Sequence, residues 1–198
     1  MNHITDASGK SATPSGDGIA PPITHGKVVI SLHWLMVLLI GSCFYLGWTM
    51  TEIYGITPTK LKYFSWHKWI GVTTLAVAMI RVVWHSTHRG PPLPDQMPTW
   101  QRRLARTTHY ALYALMLTIP VSGYVYSSAE GIQVVYLGIV PLPTLIAPDA
   151  HLKIIFRSVH VALNYTLLAL VATHVLAALK HQSIDRDGLL ARMIPLIK

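Results

Sequence analysis

His160 and His174 stand fourteen residues apart in one apolar run, 157-RSVHVALNYTLLALVATHVLAALKH-181. On an α-helix that separation climbs roughly 21 Å and completes nearly four whole turns, so both imidazoles leave on nearly the same face. A hydrocarbon core is about 30 Å thick. One helix therefore carries an imidazole near each side of a membrane, both aimed into one cleft. Two stacked haems, each ligated through an imidazole ring nitrogen, use that geometry.

The elements that must position these rings are legible in the composition. Of 198 residues, 52% are hydrophobic and 12% charged, about half the charged share of a soluble domain. Four apolar stretches have spanning length, near Val29–Met50, Ser65–His85, Leu104–Ser127 and Leu152–Lys180. The expected fold class is all-α, an integral membrane four-helix bundle with a di-haem cleft, because a helix satisfies its own backbone in lipid. Residues 1–25 are rich in Ser, Thr, Gly and Pro and lack the charged start and apolar run of a signal peptide. They are expected to form a flexible tail, with His3 and His25 outside any site, ahead of one transmembrane domain over 26–198.

Basic residues orient such a bundle. Arg81, Arg89, Arg102, Arg103 and Arg106, the tail residues Lys10 and Lys27, and Lys180, Arg186, Arg192 and Lys198 fall on one side if there are four crossings. Lys60, Lys62, Lys68, Lys153 and Arg157 fall on the other, partly offset by Glu52, Glu130 and Asp149. Both termini are thus expected to be cytoplasmic. The net charge of +8 is largely this asymmetry and not a nucleic-acid footprint.

Alternating helix direction sorts the histidines by depth. The outer layer holds one pair, His67 and His160, the expected axial ligands of an outer haem. The inner layer holds His33, His109, His174 and His181, more than one haem needs. His174 shares a face with His160, and His33 lies at matching depth, so His33 with His174 is the favoured inner pair and His109 its competitor. Cys43 is the lone cysteine, without the C-x-x-C-H of covalent attachment. Any haem is then b-type. Intramembrane histidines also serve as interhelical hydrogen-bond partners. A metal transporter would show Asp or Glu within its spans, and these spans carry none.

Further positions repeat the spacing. Arg81 follows His67 by fourteen residues and faces the inner layer. It either pairs with a propionate of the inner haem or snorkels to the interface. Gly47 follows His33, and Gly123 follows His109, by the same interval, while Gly71 lies one turn beyond His67. Each makes room for a flat macrocycle or for close helix packing. His181 sits about 10 Å beyond His174 along the helix. With His109 it could hydrogen-bond and protonate a quinone, or simply meet solvent at the helix end. The tryptophans Trp34, Trp66, Trp69 and Trp84 suit an interfacial belt, and Met36, Met50, Met79 and Met116 suit packing. The stretch 184-IDRDGLLARMIP-195 reads as a short amphipathic interfacial helix, and the apolar loop 128–150 as a cap over the outer haem or a docking surface.

These residues carry a family resemblance. The motifs 30-ISLHWLMVLLI-40, 67-HKWIGVTTLAVAMIR-81, 109-HYALYALMLTIPVSGY-124, 160-HVALNYTLLALVATH-174 and 187-DGLLARMIP-195 resemble the bacterial cytochrome b561 family over about residues 26–196, most of all its superoxide-oxidising members. The resemblance implies two non-covalent b haems ligated by His33, His67, His160 and His174, with His109 and His181 near a quinone. It implies an inner-membrane protein that oxidises superoxide to O2 at the periplasmic face and passes electrons to ubiquinone. Formate dehydrogenase and hydrogenase cytochrome subunits share the four-ligand layout. The alternative is therefore an anchoring electron-relay subunit for a periplasmic redox partner.

Overall fold

The computed structural model describes residues 26–88 and 97–194. The expected tail with His3, His25 and Lys10, the loop cation Arg89, and Lys198 lie outside them. Four long helices dominate: α1 (Lys27–Glu52), α2 (Pro58–Thr87), α3 (Thr99–Ala129) and α4 (Ala150–Lys180). Each begins before its expected apolar start, and polar caps mark the first turns of α2 and α4. Thr57 accepts from Lys60 N at 3.1 Å and Pro58 opens the first turn of α2, so that helix begins well before Ser65. Asp149 caps α4 by accepting from His151 N and Leu152 N, both at 2.8 Å.

Three helices, α1, α2 and α4 with its continuation to Asp185, are long and apolar enough to cross a membrane. The remaining one, α3, carries no charge from Tyr110 to Ser127, but Tyr110, Tyr113, Thr118, Pro120, Ser122, Tyr124 and Tyr126 dilute its apolar character. It is nevertheless held in the bundle on both sides. The helices pack in chain order, α1 on α2, α2 on α3 and α3 on α4. Among the described residues, neither α1 with α4 nor α2 with α4 forms a comparable interface. The bundle therefore keeps a cleft facing α4.

Two small clusters fill the middle. Met36, Ala78 and Met116 form one, with Tyr113 against it. Leu115, Ile119 and Leu167 form the other, with Ile40 and Phe44 against it. Met36 and Met116 are core residues, and Met79 is half exposed. Large apolar side chains such as Leu38, Trp48, Val83, Ile154 and Leu176 stay exposed around the outside, which suits helices solvated by lipid.

A short antiparallel hairpin, β1 (Val135–Tyr136) and β2 (Val140–Pro141), closes one end. Its turn places Leu137 at φ +54° and Gly138 at φ +73°, the left-handed pair that a tight hairpin demands. Trp69 Nε1 donates to Val135 O at 2.7 Å, and Thr73 and Tyr136 share a hydroxyl hydrogen bond of 2.9 Å. These bonds lay the hairpin against α2. The loop is thus a cap folded onto the bundle. Tyr124 donates to Pro143 O and holds the following segment as well.

At the opposite end an amphipathic helix is expected over 184–195; residue 195 lies outside the described residues, and 184–194 do not run as one continuous α-helix. One π-helical turn (His181–Asp185) is followed by Arg186 at φ +52° and Gly188 at φ +71°, then by a single 3-10 turn (Leu190–Arg192). The two left-handed residues break the helical path. The segment folds back, and Trp34 Nε1 donates to Met193 O at 3.1 Å, pinning it to the start of α1.

Candidate functional site

The bundle has two histidine layers, one near the hairpin and one near the termini. At the hairpin end His67 from α2 and His160 from α4 face each other with ring centres 6.3 Å apart and planes at 88°. Each ring is oriented by a main-chain carbonyl of a neighbouring helix. His67 Nδ1 lies 3.1 Å from Cys43 O on α1. His160 Nδ1 lies 3.1 Å from Ile119 O on α3 and 3.0 Å from the Ser122 hydroxyl. A carbonyl can only accept, so Nδ1 carries the proton and Nε2 keeps the lone pair on both rings. This is the tautomer of a metal-ligating histidine with its second nitrogen anchored.

The spacing passes the same test. Two metal–nitrogen bonds of roughly 2 Å, plus about 1 Å from each nitrogen to its ring centre, separate two axial imidazoles by roughly 6 Å. Around the pair lies a partly open cavity lined by Gly71, Thr74, Met116, Gly123, Asn164 and Leu167 among others. Two expected glycines stand against the rings. A Cβ at Gly123 would come within 2.9 Å of His160 Cε1, and one at Gly47 within 3.4 Å of His67 Cε1. Gly71, by contrast, faces open space. The residues present at this end fit a bis-histidine haem.

At the terminal end the histidines are partnered differently. His109 on α3 and His174 on α4 are in ring contact, 5.4 Å between centres at 70°. His33 Nδ1 on α1 lies 3.2 Å from Arg81 Nη2 on α2. The Arg81 guanidinium also stands 5.5 Å from the ring centre of Tyr113. Arg81 thus lies within the bundle at this layer, as its spacing from His67 predicts.

His181 lies beyond this layer, where Asp187 Oδ2 is 2.6 Å and Asp185 Oδ2 3.1 Å from its Nδ1. Asp187 also accepts from Leu189 N at 3.1 Å, fixing the fold-back of the C-terminal segment.

Sequence reasoning did not anticipate Ser122, Tyr113 or Asp187, nor the Cys43 and Ile119 carbonyls. A carbonyl leaves no mark on residue type. Tyr113 did leave a signal, since it lies four residues past His109 and shares that side of α3.

The outer cations are mostly engaged in the fold. Lys60 donates to Ile53 O at 2.9 Å, Lys62 stands 4.7 Å over the Trp66 ring, and Lys153 pairs with Glu130 at 2.8 Å. Lys68 and Glu130 both line the cavity mouth.

Known proteins converge on the same chemistry. Cytochrome b561 homolog 2 of Escherichia coli (strain K12) is 33% identical over 175 residues, covering 87% of this chain and 92% of the relative. A Yersinia pestis protein named "probable superoxide oxidase CybB" is 26% identical over 170 residues, 84% of this chain and 93% of the relative. Cytochrome b561 homolog 1 of Escherichia coli (strain K12) is 26% identical over 173 residues, 85% and 96% respectively. Residues 24–196 match the family described as prokaryotic cytochrome b561. With its apolar helices and a histidine pair fit for haem, the chain belongs to the prokaryotic cytochrome b561 family of membrane electron-transfer proteins.

Proposed function

We propose that this protein is a di-haem b cytochrome of the bacterial inner membrane that oxidises superoxide at the periplasmic face and reduces ubiquinone. The observation that carries the haem assignment is the opposed His67–His160 pair, each ring fixed through Nδ1 by a backbone carbonyl. Two haems, when bound, supply one-electron transfer across the bilayer. The balance is simple: two superoxide ions give up one electron each and leave as O2, while ubiquinone takes both electrons and two protons.

For the inner layer we assign His33 and His174 as ligands. The support is packing. His109 and His174 lie on α3 and α4, which are tightly packed neighbours and leave no slot for a macrocycle between them. His33 and His174 lie on α1 and α4, which form no such interface. The hairpin-end pair follows the same rule, on α2 and α4. Arg81 then turns from His33 toward a haem propionate. His109 and His181 are left for the quinone, with Asp187 holding the His181 ring.

The hairpin end is assigned to the periplasm and both termini to the cytoplasm. The support is the cluster of Arg102, Arg103, Arg106, Lys180, Arg186 and Arg192 at the terminal end. The superoxide assignment draws on the name of the Yersinia pestis relative and on the cation Lys68 at the cavity mouth.

One observation favours a second reading, an electron-relay subunit for a periplasmic partner. Leu137, Ile139 and Val140 of the hairpin are exposed at that same end, where a partner could dock.

Stopped-flow mixing of oxidised, detergent-purified protein with superoxide separates the two. Rapid rise of the reduced α-band, abolished by superoxide dismutase and reversed by ubiquinone, is the expected result. Haem that stays oxidised in superoxide yet is reduced by quinol would instead establish the relay reading.

A further inference from the structure

We propose that Tyr113 is the positioning residue for Arg81, its ring face seating the guanidinium charge in the inner histidine layer. The inference rests on the two-haem reading above. A charge inside a membrane span needs partners, and Arg81 meets one on α1 and one on α3. His33 on α1 is 3.2 Å from Nη2, and the Tyr113 ring on α3 is 5.5 Å from Cζ. The Tyr113 distance is within the roughly 6 Å reach of a cation–π contact.

These partners differ in what they can hold once haem is bound. Arg donates and cannot accept, so in the contact with Arg81 the His33 Nδ1 offers its lone pair and Nε2 carries the proton. A histidine that ligates through Nε2 while Nδ1 carries the proton cannot accept from Arg81. His33 must therefore release the guanidinium on taking up a ligand role. The Tyr113 face needs no such change, because a ring quadrupole attracts the cation in either state.

Tyr113 is itself well fixed. It packs on the Met36–Ala78–Met116 cluster, and the His85 ring, one turn beyond Arg81 on α2, stacks on it at 5.5 Å and 28°. Without that seat the long Arg side chain is free to reach for the interface. Its charge would then leave the inner haem. A nearby positive charge favours the electron-rich reduced state, so the inner haem should become harder to reduce.

Redox titration of the purified holoprotein tests this, with the outer component identified by its loss in His67→Ala. Tyr113→Leu should lower the inner midpoint potential and leave the outer one unchanged. Tyr113→Phe, which keeps the ring, should retain both wild-type values. In an Arg81→Gln background, Tyr113→Leu should produce no further fall, since the charge it positions is gone. If Tyr113→Leu loses the inner haem altogether, Tyr113→Met makes the same comparison with more bulk and no ring. An inner midpoint unchanged in the ring-less variant, or a full additional fall in the Arg81→Gln background, overturns the proposal. A single haem per wild-type chain would overturn the two-haem reading instead, and the haem count separates the two failures.

Discussion

The two histidine layers are built from the same residue type and share α4, yet they are held differently. At the hairpin end, His67 and His160 are fixed by main-chain carbonyls of α1 and α3. Those carbonyls belong to helices and cannot rotate away, so both rings are preorganised for a metal between them. At the terminal end, His33 meets the Arg81 side chain and His174 the His109 ring. Side chains have rotamers, so this layer can exchange partners. The difference teaches that equal spacing along a helix does not make equal sites. The outer pair is set by the fold, whereas the inner pair is chosen from a group of candidates.

Ligand removal is the strongest way to break the comparison. His67→Ala or His160→Ala should halve the b-haem content of purified protein, measured as the pyridine haemochrome. His33→Ala should do the same for the inner haem, whereas His109→Ala should retain both. Loss of a haem in His109→Ala, with retention in His33→Ala, would transfer the inner ligand role to His109.

The glycines test the rigidity of the outer layer with a smaller effect. At Gly123 a methyl group would lie 2.9 Å from the His160 ring, so Gly123→Ala must move an imidazole already held by a carbonyl. Forcing such a shift in a well-packed site costs about 1–3 kcal/mol. Partial loss of the outer haem and an altered α-band are expected. Gly47→Ala, with 3.4 Å to the His67 ring, should retain near-normal haem. Equal effects at the two positions would show that the outer pocket is softer than its hydrogen bonds imply.

The smallest effect belongs to Ser122→Ala. The Ile119 carbonyl still holds His160 Nδ1 after the hydroxyl is removed, so the loss is about 1 kcal/mol, one hydrogen bond's worth. Thermal release of the outer haem should shift down by a few degrees, with no change in haem content at room temperature. Complete loss of the outer haem would mean that the hydroxyl, not the carbonyl, orients the ring.

Much of this architecture was legible before folding. α1, α2 and α4 follow from runs of apolar residues, since length and hydropathy suffice for a span, whereas α3 is more polar and is held by its packing on α2 and α4. The depth of each histidine follows from helix rise and chain direction, which is why His67 and His160 emerge as a pair. The path of the C-terminal segment is less legible. Its alternation of Leu and Arg suggests a helix, but Arg186 and Gly188 adopt left-handed backbone and Asp187 ties it back to His181. A contact between two segments overrode the local periodicity.

The sequence by itself determined which residues can reach each end of the bundle, because rise per residue and the impermeability of lipid to polar groups are local rules. It placed His33, His109 and His174 in one inner layer but could not decide which of them share a gap wide enough for a cofactor. Which helices touch bears on that choice, and it is the support for the proposed His33–His174 pair. Close packing of α3 on α4, and the absence of such packing between α4 and either α1 or α2, is a property of four helices together. The carbonyls that hold the outer rings are likewise decided only in the tertiary structure, because every residue has one and only the fold selects which of them meets an imidazole.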